Sequence, residues 1–140
     1  MISKIIRILL LLILVLLVIP IGYHKVYRTI HLKDFKENII VTCYNPVIGQ
    51  CDYTPDITAS AAKINLDDPL GHRWVAVSRD LKKKLKYGDR IYIQGTGIYD
   101  GIWTVQDIMN KRFSNSVDLL VGRNDSVDKW KGIKIYKILY

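Results

Sequence analysis

The chain has 140 residues, 49% of them hydrophobic, with 21 basic and 13 acidic side chains and a net charge of +8, which is room for one domain and its flanks. This composition excludes a disordered chain, a collagen-like repeat and a disulfide-dense miniprotein. Residues 1–38 hold six of the basic residues and two of the acidic ones; the other 15 and 11 are dispersed over the rest, too mild and scattered a charge for a nucleic-acid binder.

Residues 8–19 are all Ile, Leu or Val, and the apolar stretch runs from Ile5 to Tyr23. That length matches the ~20 residues a helix needs to cross a bilayer, with Arg7 snorkelling outward. Residues 1–24 therefore read as a single transmembrane anchor with a short basic N-terminus. A cleaved signal peptide is the alternative, but no small-x-small site follows the apolar core, which exits through Pro20, Ile21 and Gly22. Lys4 and Arg7 favour an N-terminus inside, while Lys25, Arg28, Lys33 and Lys36 oppose it. Cys43 and Cys51, the only cysteines, lie eight positions apart in turn-rich sequence. On an exported domain such a pair reads as a local disulfide, two buried thiols being the alternative. The expectation is a single-pass membrane protein with its N-terminus inside and its domain on the outer side.

Residues 25–38 read as a polar stem and 39–140 as the folded domain. β-Branched or alternating runs at 39–44, 74–78, 90–94, 101–106, 117–121 and 133–138 predict six short strands. Asp100-Gly101 marks a hairpin turn. Residues 80–87 and 126–130 read as helical turns. A mainly β fold with six strands at close spacing points to a small β-barrel. The run Lys82-Lys83-Lys84 with Lys86 reads as a solvated face, or as attraction to an anionic surface. Trp74, Trp103 and Trp130 read as core, or as platforms for sugar rings if exposed along a groove.

The domain contains eleven aspartates and no glutamate. No nucleophile elbow, phosphate-binding glycine loop or zinc-protease motif occurs. The cysteines and His24, His31 and His72 have no metal-ligand spacing, so neither a metal nor another cofactor is expected. Most aspartates precede glycines or flank turns, where capping explains them. Asp107 ends a strand, and Asp118 sits inside the apolar run Val117-Asp118-Leu119-Leu120. A carboxylate there is costly to bury unless paired, and such sites often carry acid/base chemistry.

Val105-Gln106-Asp107, followed by Lys111-Arg112-Phe113 and Val117-Asp118-Leu119, resembles the signature of the 3D domain. That family is named for three aspartates and is found in membrane-bound lytic transglycosylases and small bacterial wall-remodelling proteins. The separation of Asp107 and Asp118 by eleven positions matches the family pattern. Thr42-Cys43-Tyr44-Asn45-Pro46 is similar to its opening motif, Thr58-Ala59 to its Thr-Ala motif, and the stretch through Asp80 and Gly88-Asp89-Arg90-Ile91 to the segment bearing its first aspartate. Ile108-Met109-Asn110 stands where the family has Thr-Gly-Gly, and Ser116 where it has Arg.

The resemblance implies a double-psi β-barrel and cleavage of the MurNAc–GlcNAc bond of peptidoglycan without water. It casts Asp118 as the acid/base, Asp107 as the supporting aspartate and Asp80 as the first of the three. Tyr44, Thr58 and Lys111 become candidates for lining a substrate groove. The expected partners are glycan strands and, through the anchor, the membrane, with no nucleic acid. A non-catalytic wall-glycan-binding barrel is the alternative.

Overall fold

A computed structural model describes residues 30–51 and 53–139; the anchor expected at 1–24 lies outside them. Among the described residues no helix is long and apolar enough to cross a membrane. The fold is mainly β. Its strands are β1 (His31–Tyr44), β2 (Trp74–Val77), β3 (Arg90–Gln94), β4 (Gly101–Ile108), β5 (Ser116–Leu120) and β6 (Lys129–Leu139), with a one-turn helix α1 (Arg79–Lys82) between β2 and β3. All six expected strands are present. The helical turn expected at 126–130 is not: Asp125 accepts the Gly122 N–H at 2.7 Å and closes a turn, and Lys129 and Trp130 already pair with Thr42 and Val41.

Pairing runs β1-β5-β2-β4-β3-β6 and returns to β1, a closed barrel. Closure leaves no unpaired edge on the ring. Two neighbours are parallel, β1 with β5 and β2 with β4, and the other four pairings are antiparallel. Alternation along each strand sends one set of side chains inward. Ile39, Val41, Val75, Ile91, Trp103 and Leu119, all without solvent exposure, lie in this core.

β1 starts inside the segment that composition sets apart as a stem. His31 pairs with Leu139 and Lys36 with Ile135, so residues 31–38 form a mostly exposed ribbon with β6 that runs on into the barrel. Three register shifts occur along this pairing, and Asn38 lies in the left-handed region at φ 57°. Such bulges add bend and twist, as a 14-residue strand needs to pass from ribbon to barrel wall.

Cys43 and Cys51 form no disulfide, which corrects the expected pairing. Cys43 follows Ile39 and Val41 on the inner face of β1 and packs in the barrel core. Cys51 packs with Tyr44, Ala76 and Leu120 on the outer face of the same wall. The strand lies between the two sulfurs, and burial pushes the Cys43 thiol up to about 11.

Candidate functional site: two aspartates in an outer cleft

The outer face of β1, β5, β2 and β4 carries a single row of residues. Thr42 pairs with Asp118, Asp118 with Ala76, and Ala76 with Asp107. Asp118 faces out because Val117 and Leu119 on either side face the core. Asp107 reaches the same face through a fault in the ladder. Val75 pairs with Val105 but Ala76 with Asp107, a register shift of one residue. Without that bulge Gln106 would oppose Ala76, and Asp107 would follow Trp103 and Val105 inward. Between the two aspartates Ala76 supplies only a methyl group, which leaves room above it.

The long connection from β1 to β2 covers this face, and its Ile64 packs with Tyr44, Ala76, Met109 and Leu120 as a second apolar cluster. Asn45 staples the near end: Gln50 Nε2 donates to its Oδ1 at 2.8 Å, and its own amide donates to the Gly122 and Asp125 carbonyls. Residues 57–63 form the far end as a small hairpin. Ser60 Oγ donates to Gln106 Oε1 at 2.6 Å, and the Ala59 N–H donates to Asp107 Oδ1 at 2.9 Å. The roof therefore hangs on the residues of the β4 bulge.

Between roof and wall lies a cleft of about 550 Å³, lined by Tyr44, Thr58, Asp107 and Asp118 among others. Asp107 Oδ1 also accepts the Ile108 N–H at 2.8 Å, and its Oδ2 accepts the Tyr44 hydroxyl at 3.3 Å. Asp118 Oδ1 accepts the Thr42 hydroxyl at 2.7 Å. Burial pushes the Asp118 carboxyl up from 3.8 to about 6; the Thr42 hydroxyl works against this rise and the Asp107 charge adds to it. Burial and the same Asp107 charge push the Tyr44 phenol far above its ordinary value, so Tyr44 keeps its proton and donates it to Asp107. The arrangement is a carboxyl able to hold a proton near neutral pH beside a carboxylate held by fixed donors. Such a pair can give a proton to a ligand in the cleft and take one back.

Four of the six residues expected at the site are brought together. Thr58 lines the cleft, yet its hydroxyl bonds to Ser60 Oγ at 2.9 Å and to the Ala62 backbone, so it shapes the roof. Asp80 does not line the cleft. It sits in the first turn of α1 and accepts the Asn115 N–H at 3.2 and 3.1 Å. Partial burial alone would raise its carboxyl; bonds from Ser78 and from the Asn115, Asp80 and Leu81 N–H groups hold it below the usual range. Its work is to pin Asn115, at φ 49°, at the entry to β5. Lys111 is exposed on a turn and does not line the cleft.

Arg79 and Arg112 line the cleft instead, together with Phe113. Arg112 and Phe113 belong to the segment that carries the resemblance, which gave the binding role to Lys111 instead; nothing in the sequence singled out Arg79. Ile108-Met109-Asn110 needs no glycine, since none of the three has positive φ. Met109 fills the second cluster, and the Asn110 side chain accepts the Arg112 N–H at 3.1 Å to close the turn. None of the tryptophans lines the cleft. Trp103 is core, Trp74 stacks on His72 at 4.0 Å and Trp130 meets Tyr99 edge-on. Among the described residues no group of His, Cys, Asp and Glu is suited to hold a metal ion. Compared with protein-family models, with curated proteins and with solved structures, the chain matches none.

Proposed function

We propose that this protein is a membrane-anchored enzyme of the lytic-transglycosylase kind, acting on peptidoglycan glycan strands from a double-psi β-barrel domain. The observation that carries the reading is Asp118: a half-buried carboxyl with its pKa raised to about 6, in a cleft shared with Asp107. The double-psi assignment rests on the sequence resemblance and is compatible with two parallel pairings in a closed six-stranded ring.

In this mechanism Asp118 gives its proton to the oxygen linking MurNAc to GlcNAc, and the bond from that oxygen to the MurNAc anomeric carbon breaks. The MurNAc 6-hydroxyl then attacks the anomeric carbon, and Asp118 takes its proton back as the 1,6-anhydro ring closes. One residue serves as acid and then base because the nucleophile belongs to the substrate. This differs from the usual scheme of two carboxylates and a water. Asp107, held by Ala59, Ile108 and Tyr44, keeps a negative charge close to the cation-like anomeric centre.

The test is incubation of the protein with purified sacculi, read by mass spectrometry for anhydro-muropeptides. Release by the wild type that falls at least ~100-fold in Asp118→Asn, within the usual range for general acid–base catalysis, supports the enzyme. Co-sedimentation with sacculi and no release defeats it in favour of a glycan-binding module.

A further inference from the structure

Arg79 and Arg112 enter the cleft from two segments that leave the barrel at the same end. β2 and β4 run parallel, Val77 pairing with Ile108. Arg79 comes two residues after Val77, and Arg112 four after Ile108. Both arginines are exposed on the cleft lining. Neither forms an ion pair among the described residues, where Lys134 and Lys137 take all three such contacts.

Asp107 and Asp118 lie in the same cleft, but neither arginine is ion-paired to them. Asp107 is held by two backbone N–H groups and the Tyr44 hydroxyl, Asp118 by Thr42. Two guanidiniums at one end of a concave site raise the local positive potential and draw an anion to it. Their forked donors match the two oxygens of a carboxylate. The Arg112 guanidinium sits over the Phe113 ring, 4.8 Å from its centroid, which steadies it and sets an apolar surface beside the charge.

We infer that Arg79, Arg112 and Phe113 form a subsite for a carboxylate borne on a short apolar arm, which in glycan strands stripped of their stem peptides is the free lactyl group of MurNAc. This rests on the reading of the cleft as a glycan site and adds which sugar substituent sets specificity. The arginines bind the lactyl carboxylate, Phe113 packs against its methyl group, and the acidic sugar is thereby seated with its anomeric carbon toward Asp118. A neutral glycan of the same shape lacks this hold.

The test uses the full chain and the disaccharide GlcNAc–MurNAc, which lacks the scissile MurNAc–GlcNAc bond, as the free acid and as the lactyl methyl ester. Titration calorimetry is expected to give about tenfold tighter binding of the acid, the order of one charge-assisted contact. Arg79→Gln with Arg112→Gln should bring the two ligands level, and Arg79→Lys with Arg112→Lys should restore only part of the preference, since lysine keeps the charge and loses the fork. Both pairs sit on the surface, and circular dichroism checks that the fold is kept. Equal binding of acid and ester overturns the inference, as does a preference that survives the glutamine pair, or no binding of either ligand. The sacculus assay on the same preparations separates the two claims. Release with no acid preference leaves the enzyme standing and removes the subsite; an acid preference with no release does the reverse.

Discussion

At the scale of single residues, Asp118 costs stability at neutral pH. Its carboxyl titrates at about 6 in the folded chain, against 3.8 as the ordinary value. The folded state thus holds the extra proton between about pH 4 and 6. The stability linked to that proton is fully present below the window and lost as pH rises through it. The shift corresponds to at most about 3 kcal/mol. Asp118→Asn removes the titration and still offers Thr42 an acceptor. The variant should melt above the wild type at pH 7.5 and level with it at pH 4, which differential scanning calorimetry measures. An unchanged difference across that range would show that burial of this carboxyl is not costly. Under the proposed mechanism the same group would set the alkaline limb of the pH–rate profile, because only its protonated form gives up a proton. That limb should fall near pH 6. Thr42→Val removes the bond that favours the charged form, so it should move the limb to higher pH.

At the scale of elements, Asp80 joins two parts of the fold. Its carboxylate ties the start of α1 to the Asn115 N–H, while Ser78 and Ser116 exchange the bonds beside it. Asp80→Ala should cost about 1 kcal/mol in chemical denaturation and leave anhydro-muropeptide release within a few-fold of the wild type. Loss of release without loss of stability would return Asp80 to the chemistry. The sequence made the strands legible because period-two alternation is local: 90–94 and 101–106 read correctly from their own residues. Asp118 was legible for the same reason, as a charge in an apolar run. Asp107 stands out as the end of a strand and, in the resemblance, by its spacing to Asp118, but the bulge that turns it outward depends on pairing with Val75 and Ala76, far along the chain. The side of the wall on which Cys51 lies, and the choice of Arg112 over Lys111, depend likewise on how a loop folds back. Local pattern carries no information about either.

At the scale of the whole molecule, the boundary of the domain differs from the one composition suggests. A polar run with mixed charge at 25–38 has the chemistry of a stem, yet from His31 it is strand. Exposure explains the misreading: the ribbon it forms with β6 is open to solvent on most positions, so the residues have no reason to be apolar. Phe35 is the exception, packed against the barrel core. Asp34 and Glu37 reach Lys134 of β6 at 3.3 and 3.2 Å, exposed ion pairs worth little each. A chain that starts at residue 30 keeps every described strand and should unfold in one cooperative transition. A chain that starts at residue 39 keeps Ile39, Val41 and the pairing of β1 with β5, but loses Phe35 and the pairings from His31 to Lys36. Burial of one phenylalanine is worth about 1.5–3 kcal/mol, so the shorter chain should fold with a lower denaturation midpoint. Urea titration of the two truncated proteins, followed by tryptophan fluorescence from the buried Trp103, decides the matter. Equal midpoints would mean that the ribbon belongs to the stem after all.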